Sequence, residues 1–89
     1  VEGLTKALAV EVAPSNIRVC SIAPTFADTP MTKPMFEDEK FKNFVYGMIP
    51  MKKLVDVQDI VDGILYLCSP QAKMITGTSL LIDGGWTAH

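Results

Sequence analysis

Histidine is nearly missing from this sequence, cysteine is scarce, and no apolar stretch is long enough to matter to a membrane. The single histidine, His89, is terminal, and no Cys/His cluster has zinc-ligand spacing. A metal centre and a histidine-based triad are therefore not expected, and His89 reads as a surface or interface residue. A membrane-spanning helix needs roughly 18 or more consecutive apolar residues, and there is no such run. The 8 basic residues are interleaved with 10 acidic ones, for a net charge of −2. Nucleic-acid binding would call for clustered Lys and Arg instead. The two cysteines, Cys20 and Cys68, lie inside apolar runs and read as reduced, buried small hydrophobes of a cytoplasmic protein. No signal peptide is visible that would imply a disulfide-forming compartment.

What is abundant is apolar surface. Of the 89 residues 48% are hydrophobic, and the mean hydropathy is positive. A lone domain of this size buries only a modest share of its surface, so such an excess implies faces meant for a partner or for further chain. The first residues, VEGLTKALAVEVA, already read as helix, with no Ser, Thr, Asp or Asn ahead of them to bond the free N–H groups of the first turn. That places Val1 inside a helix begun upstream, and the chain is expected to be cut there.

Val1, Leu4, Leu8 and Val12 form an amphipathic stripe, while Ala7 and Ala9 permit close approach to a neighbour. Pro14 stops this helix and Ser15-Asn16 turns the chain. Ile17 to Ala23 is short, β-branched and almost wholly apolar, as suits a strand covered on both faces and ending at Pro24. Pro24 to Pro34, with its three prolines, reads as loop. Helical spacing resumes from Glu37 to Met48, with Phe41, Phe44, Val45 and Met48 on one face. Asp56 reads as the N-cap of a further helix, with Asp59 three residues on, continuing through Ile60, Val61, Ile64, Leu65 and Cys68 to Ser69-Pro70. Thr76-Gly77 is a turn, Ser79 to Ile82 a second strand, and Asp83-Gly84-Gly85 a closing turn. Two strands joined by helices imply an α/β fold with parallel pairing.

In open α/β sheets ligands collect beyond the carboxyl ends of the strands. Here that place is the segment from Pro24 to Met31, which offers free backbone groups and a Thr hydroxyl beside apolar side chains. Asp28 and Thr29 also fit an ordinary turn that bonds its own backbone.

Two long blocks, GLTKALAVEVAPSNIRVCSIAPTFADTPM and VDVQDIVDGILYLCSPQAKMITGTSLLIDGG, carry a family resemblance over nearly all of the chain. The first is similar to the helix, "IRVN" strand and "PG…TPM" loop that follow the catalytic Tyr-x-x-x-Lys of the short-chain dehydrogenase/reductase family. The second is similar to that family's last helix, "S…TG" turn and "DGG" strand. The resemblance implies the C-terminal part of a Rossmann-type doubly wound parallel sheet, two strands and three helices of it, forming residues 1–89 of one domain whose N-terminal cofactor-binding half is absent. It implies an oxidoreductase that moves a hydride between NAD or NADP and a carbonyl or alcohol substrate, assembled as a homo-oligomer (tetramer or dimer) through the first helix and the closing strand.

Residue by residue, it places Pro24 and Thr25 behind the nicotinamide, the backbone of Ala27 at the carboxamide, and the Thr29 hydroxyl at that carboxamide or the nearby phosphate. Residues 30–52 correspond to the substrate flap, with Phe26, Met31, Phe36, Phe44 and Met48 as substrate-binding candidates that also suit plain helix packing. Two positions depart from the family pattern. Cys20 stands where Asn is usual, and Thr25 puts a Cβ where Gly usually permits close approach or a special backbone angle. No catalytic residue is expected in this chain, because Tyr46 and Tyr66 are followed four residues later by Pro50 and Pro70 instead of Lys. The rival reading is a non-catalytic, truncated interaction module. Because two strands do not complete a covered sheet, residues 1–89 expressed alone are expected to aggregate or to unfold without a sharp transition, as followed by circular dichroism and gel filtration.

Overall fold

The computed structural model describes residues 1–88, and His89 lies outside the described residues. Helix α1 spans Glu2–Val12, strand β1 Ser21–Pro24, helix α2 Glu39–Met48, helix α3 Val57–Cys68 and strand β2 Ser79–Ile82. Short 3-10 turns occupy Ala13–Ser15, Lys33–Glu37, Pro70–Ala72 and Trp86–Ala88. The two strands pair in parallel. Their register is visible in the N–H donors: Gly77 to the Val19 carbonyl at 2.8 Å and Ser21 to that of Thr78 at 3.1 Å, with residue numbers rising together on both strands. The Ser21 and Ser79 hydroxyls meet at 2.5 Å across the pair.

The chain divides into two compact units. The first comprises residues 1–23 and 61–81. Here α1 turns its small side chains inward: Thr5 and Ala9 are buried, and a Cβ on Gly77 would stand 3.4 Å from that of Ala9. The Thr5 hydroxyl donates to the Val1 carbonyl at 2.8 Å, which satisfies it inside the buried face. The expected Val1–Leu4–Leu8–Val12 stripe is thus not the covered face, since Leu4 is 65% and Leu8 39% exposed. Small residues win here because they let a helix backbone approach a turn, which leucines on the same face would block.

Similarly, α3 buries Leu67 while Val61, Ile64, Leu65 and Cys68 remain exposed. Cys68 was expected to be buried. It stands one residue beyond the inward Leu67, and about 100° per residue rotates it outward. Cys20 is half-buried, both thiols are free, and both line one cavity of about 260 Å³ with Arg18, Ile22, Ile64 and Leu67.

Strand β1 begins four residues later than the apolar run suggests. Between Ile17 and Cys20 side chains stand in for ladder partners: the Val19 N–H donates to Thr76 Oγ1 at 3.0 Å and the Arg18 guanidinium to the Ile75 carbonyl at 3.3 Å. Asn16, at φ 61°, closes the preceding turn in the left-handed region that Asn tolerates.

The second unit comprises residues 24–60 and 82–89. Val45 and Ile49 are its fully buried anchors. Helix α2 starts two residues later than Glu37, with the Asp38 carboxylate accepting the Lys40 N–H at 3.0 Å. Residues 33–37, the first two of them expected as loop, form a 3-10 turn with Pro34 in its first turn. Asp56 and Asp59 form the anticipated reciprocal cap: Asp59 accepts the Asp56 N–H at 2.9 Å and Asp56 that of Gln58 at 3.5 Å.

The closing turn is fixed by Asp83. Its carboxylate accepts the Thr87 hydroxyl at 2.7 Å and the N–H groups of Gly85 and Thr87 at 2.9 and 3.1 Å. The Thr87 hydroxyl, then the Gly85 N–H, hold this carboxyl below its ordinary pKa. Gly84 and Gly85 have φ of 61° and 98°, and a Cβ on Gly84 would fall 2.7 Å from Ile49 Cγ2. Both backbone angle and space therefore require glycine. In the complete protein Gly84→Ala is expected to cost about 1–3 kcal/mol by thermal unfolding, while Gly47→Ala, within α2 and with nothing within 4 Å of its Cβ, is expected to be neutral or to stabilise by up to about 1 kcal/mol.

Candidate functional site

The segment after β1 is held on two sides by backbone pairing. The Thr25 N–H donates to the Ile82 carbonyl at 3.1 Å. On the other side Val55 donates to the Phe26 carbonyl at 3.2 Å and accepts the Asp28 N–H at 2.8 Å, which makes Ala27 and Val55 a parallel bridge. This arrangement consumes alternate groups. The N–H of Ala27 is left without a partner among the described residues, and its carbonyl accepts the Thr32 hydroxyl at 2.5 Å. A carbonyl has a second lone pair, so Ala27 offers one donor and one further acceptor side by side. An amide group on a ligand presents the complementary pair.

Thr29 is half-buried, and its carbonyl receives the N–H groups of Thr32 and Lys33 at 3.1 and 3.0 Å. The Thr29 and Thr32 hydroxyls stand 3.3 Å apart, and the Thr29 N–H reaches Thr32 Oγ1 at 3.2 Å. Thr32 is the residue that sequence reading missed. Its signal was present in the Thr-x-x-Thr spacing of an ST turn, masked by the surrounding prolines.

Pro24, Thr25, Phe26, Ala27 and Thr32 line an open groove of about 490 Å³. Four of these five are contributed by the loop itself, so the groove exists because Val55 and Ile82 hold the loop extended. Thr25 keeps a negative φ, because Asn16 and Lys52 are the only non-glycine residues with positive φ among those described. The Cβ at this position is therefore accommodated without backbone strain.

The anticipated substrate-binding residues divide. The Phe26 ring meets Phe36, Phe41 and Trp86 with centroids 5.9, 5.6 and 6.0 Å away, the first two edge-on. Phe44, largely exposed, meets Trp86 at 6.4 Å, and Met48 is half-buried. Met31 is 87% exposed and joins none of these rings. On α2 the Lys42 ammonium lies over the Tyr46 ring at 6.0 Å from its centroid.

A parallel strand pair whose carboxyl end carries an open groove defines this chain as part of an α/β protein, and comparison with known proteins makes that more particular. The family model described as Enoyl-(Acyl carrier protein) reductase matches residues 1–87. The short-chain dehydrogenase RED2 of Pyricularia oryzae is 35% identical over 86 residues, 96% of this chain and 31% of that protein. Among solved structures, 4-hydroxyisoleucine dehydrogenase complexed with NADH superposes with a TM-score of 0.93 at 41% identity, covering 99% of this chain and 36% of that one. An Agrobacterium tumefaciens protein assigned as 2-deoxy-d-gluconate 3-dehydrogenase, with bound NADP, gives 0.95 at 34% identity and the same coverage. The chain belongs to the short-chain dehydrogenase/reductase family and has the corresponding part of its Rossmann-type fold. It spans about a third of the length of the relatives it matches.

Removing one neutral hydrogen bond costs about 0.5–1.5 kcal/mol, or roughly two- to twelvefold in a local opening equilibrium. In Thr32→Val the amide of Thr29 is therefore expected to exchange with deuterium several-fold faster, with the Ser21 amide unchanged, as measured by residue-resolved hydrogen exchange.

Proposed function

We propose that this chain is the C-terminal third of an NAD(P)-dependent short-chain dehydrogenase/reductase, where it forms the nicotinamide side of the cofactor pocket and the substrate flap. The observation that carries this reading is the unpaired Ala27 N–H beside an accepting carbonyl, held at the end of a parallel strand in a groove with apolar walls. The nicotinamide, when bound, supplies or receives the hydride. This chain's own residues bind and orient it: Pro24 and Thr25 back the ring, Ala27 holds the carboxamide, and the Thr29 hydroxyl bonds the carboxamide or the adjacent phosphate. Without those bonds the ring would rotate about its glycosidic link, and orientation is what such a pocket contributes to the rate.

The substrate is a carbonyl or alcohol compound with an apolar portion, facing Phe26 of the loop and Met31, Phe36, Phe44 and Met48 of the flap. Exposed Met31 and half-buried Met48 suit a surface that repacks around its ligand. The acid/base Tyr, its Lys and the carbonyl-orienting Ser come from residues N-terminal to Val1, as does the Gly-rich turn for the pyrophosphate. All belong with this chain to a single Rossmann-type domain. The exposed apolar faces of α1 and α3, with Leu4, Val10, Ile64 and Leu65, pack against that N-terminal part and against other subunits of a cytoplasmic homo-oligomer, a dimer or tetramer. The relatives' names are those of dehydrogenases, which favours the enzyme over a non-catalytic module.

The test is a panel of carbonyl and alcohol substrates with both cofactors, run on the complete protein. Cofactor-dependent turnover is expected, and Thr29→Val should raise KM for the cofactor about fivefold, in keeping with one lost hydrogen bond. Absence of NADH and NADPH binding to the folded protein would overturn the reading.

A further inference from the structure

Trp86 is a residue that no part of the proposed pocket uses, yet its turn is tied at several points within the second unit. It opens the turn Trp86–Ala88, with its N–H on the Asp83 carbonyl at 3.1 Å and the Ala88 N–H on that of Gly85 at 2.9 Å. Asp83 ties down both sides of the turn through Gly85 and Thr87. Gly84 packs on Ile49 and Gly85 on Pro50, and the Met51 N–H donates to the Gly84 carbonyl at 3.1 Å. The backbone that carries the indole is therefore tied at several points, and the ring itself is placed by its aromatic neighbours.

That place lies between two elements with separate tasks. One neighbour is Phe26, with centroids 6.0 Å apart and planes at 38°, between Thr25 and Ala27 of the cofactor-side loop. The other is Phe44 of α2, at 6.4 Å and 78°. Both separations fall within the roughly 4.5–7 Å at which aromatic pairs attract. Phe44 has no other ring contact among the described residues, so the indole is its one aromatic tie. Phe26 also leans edge-on against Phe36 and Phe41, so a shift of its ring is felt in the Lys33–Glu37 turn and the start of α2.

We propose that Trp86 is a positioning residue: by clamping Phe26 it sets the conformation in which Ala27 receives the nicotinamide carboxamide, and through Phe44 it couples that loop to the flap helix. The proposal rests on the reading of Pro24–Thr29 as the nicotinamide-side loop. It makes cofactor affinity depend on a side chain of the C-terminal turn that does not itself line the groove.

The test uses the complete protein and its dissociation constants for NADH and NADPH. Trp86→Leu, which keeps apolar bulk and loses the ring, should weaken binding about fivefold, whereas Trp86→Phe should restore it to within twofold of wild type. In a double-mutant cycle Phe26→Leu and Trp86→Leu together should bind no more weakly than the worse single variant, since each breaks the same contact. A Trp86→Leu protein that binds within twofold of wild type, or losses that simply multiply, would overturn the proposal while leaving the cofactor reading intact. Wild-type protein that binds neither cofactor overturns both. If Trp86→Leu does not fold, wild type labelled with 5-fluorotryptophan decides: the resonance absent from Trp86→Phe should shift on addition of oxidised cofactor, and its failure to move refutes the clamp.

Discussion

Everything the candidate site offers depends on how the backbone groups from Thr25 to Asp28 are shared out. Ile82 takes the Thr25 N–H, and Val55 takes the Asp28 N–H while donating to the Phe26 carbonyl. Each bond is worth only about 0.5–1.5 kcal/mol net. Their effect lies in geometry, because parallel pairing uses alternate residues and so leaves the Ala27 N–H turned away from Val55 and without a partner among the described residues. A loop held from one side would have to order itself when a ligand arrived, and would pay for that in affinity. Here the ordering is built into the fold.

Around that backbone, side chains divide the remaining work. The Thr32 hydroxyl secures the Ala27 carbonyl and the Thr29 N–H, so the polar side of the loop is fixed by one residue. The apolar side is fixed by rings, with Phe26 at the centre of Phe36, Phe41 and Trp86. Aromatic packing of this kind is directional as well as apolar, so it sets an orientation that aliphatic side chains would leave loose. The closing turn joins this arrangement through a constraint of space, since a Cβ on Gly84 would fall 2.7 Å from Ile49 Cγ2 and one on Gly85 would press on Pro50 at 3.0 Å.

Helix faces tell a different story from the loops. Spacing alone marked leucine and valine stripes on α1 and α3, and the stripes exist as spacing. Yet Thr5 and Ala9 on α1 and Leu67 on α3 are the residues these helices bury, and Leu4, Val10 and Leu65 stand exposed. Periodicity reports that a helix has an apolar side; it carries no information about which element meets that side, or whether a small-residue face approaches something closer.

The order of helices and strands, the parallel α/β class, the cap at Asp56 and Asp59, the glycine turn after Asp83 and the family itself were all legible in the residues, because each rests on local chemistry or on contiguous motifs. The loop after β1 was legible as a segment, through the same motifs. Tertiary structure decided the rest. Val55 as the loop's second flank and the seat of Trp86 between Phe26 and Phe44 join residues far apart in the chain, and the outward rotation of Cys68 turns on which face of α3 is covered. One-dimensional spacing contains neither quantity, so only packing in three dimensions could fix them.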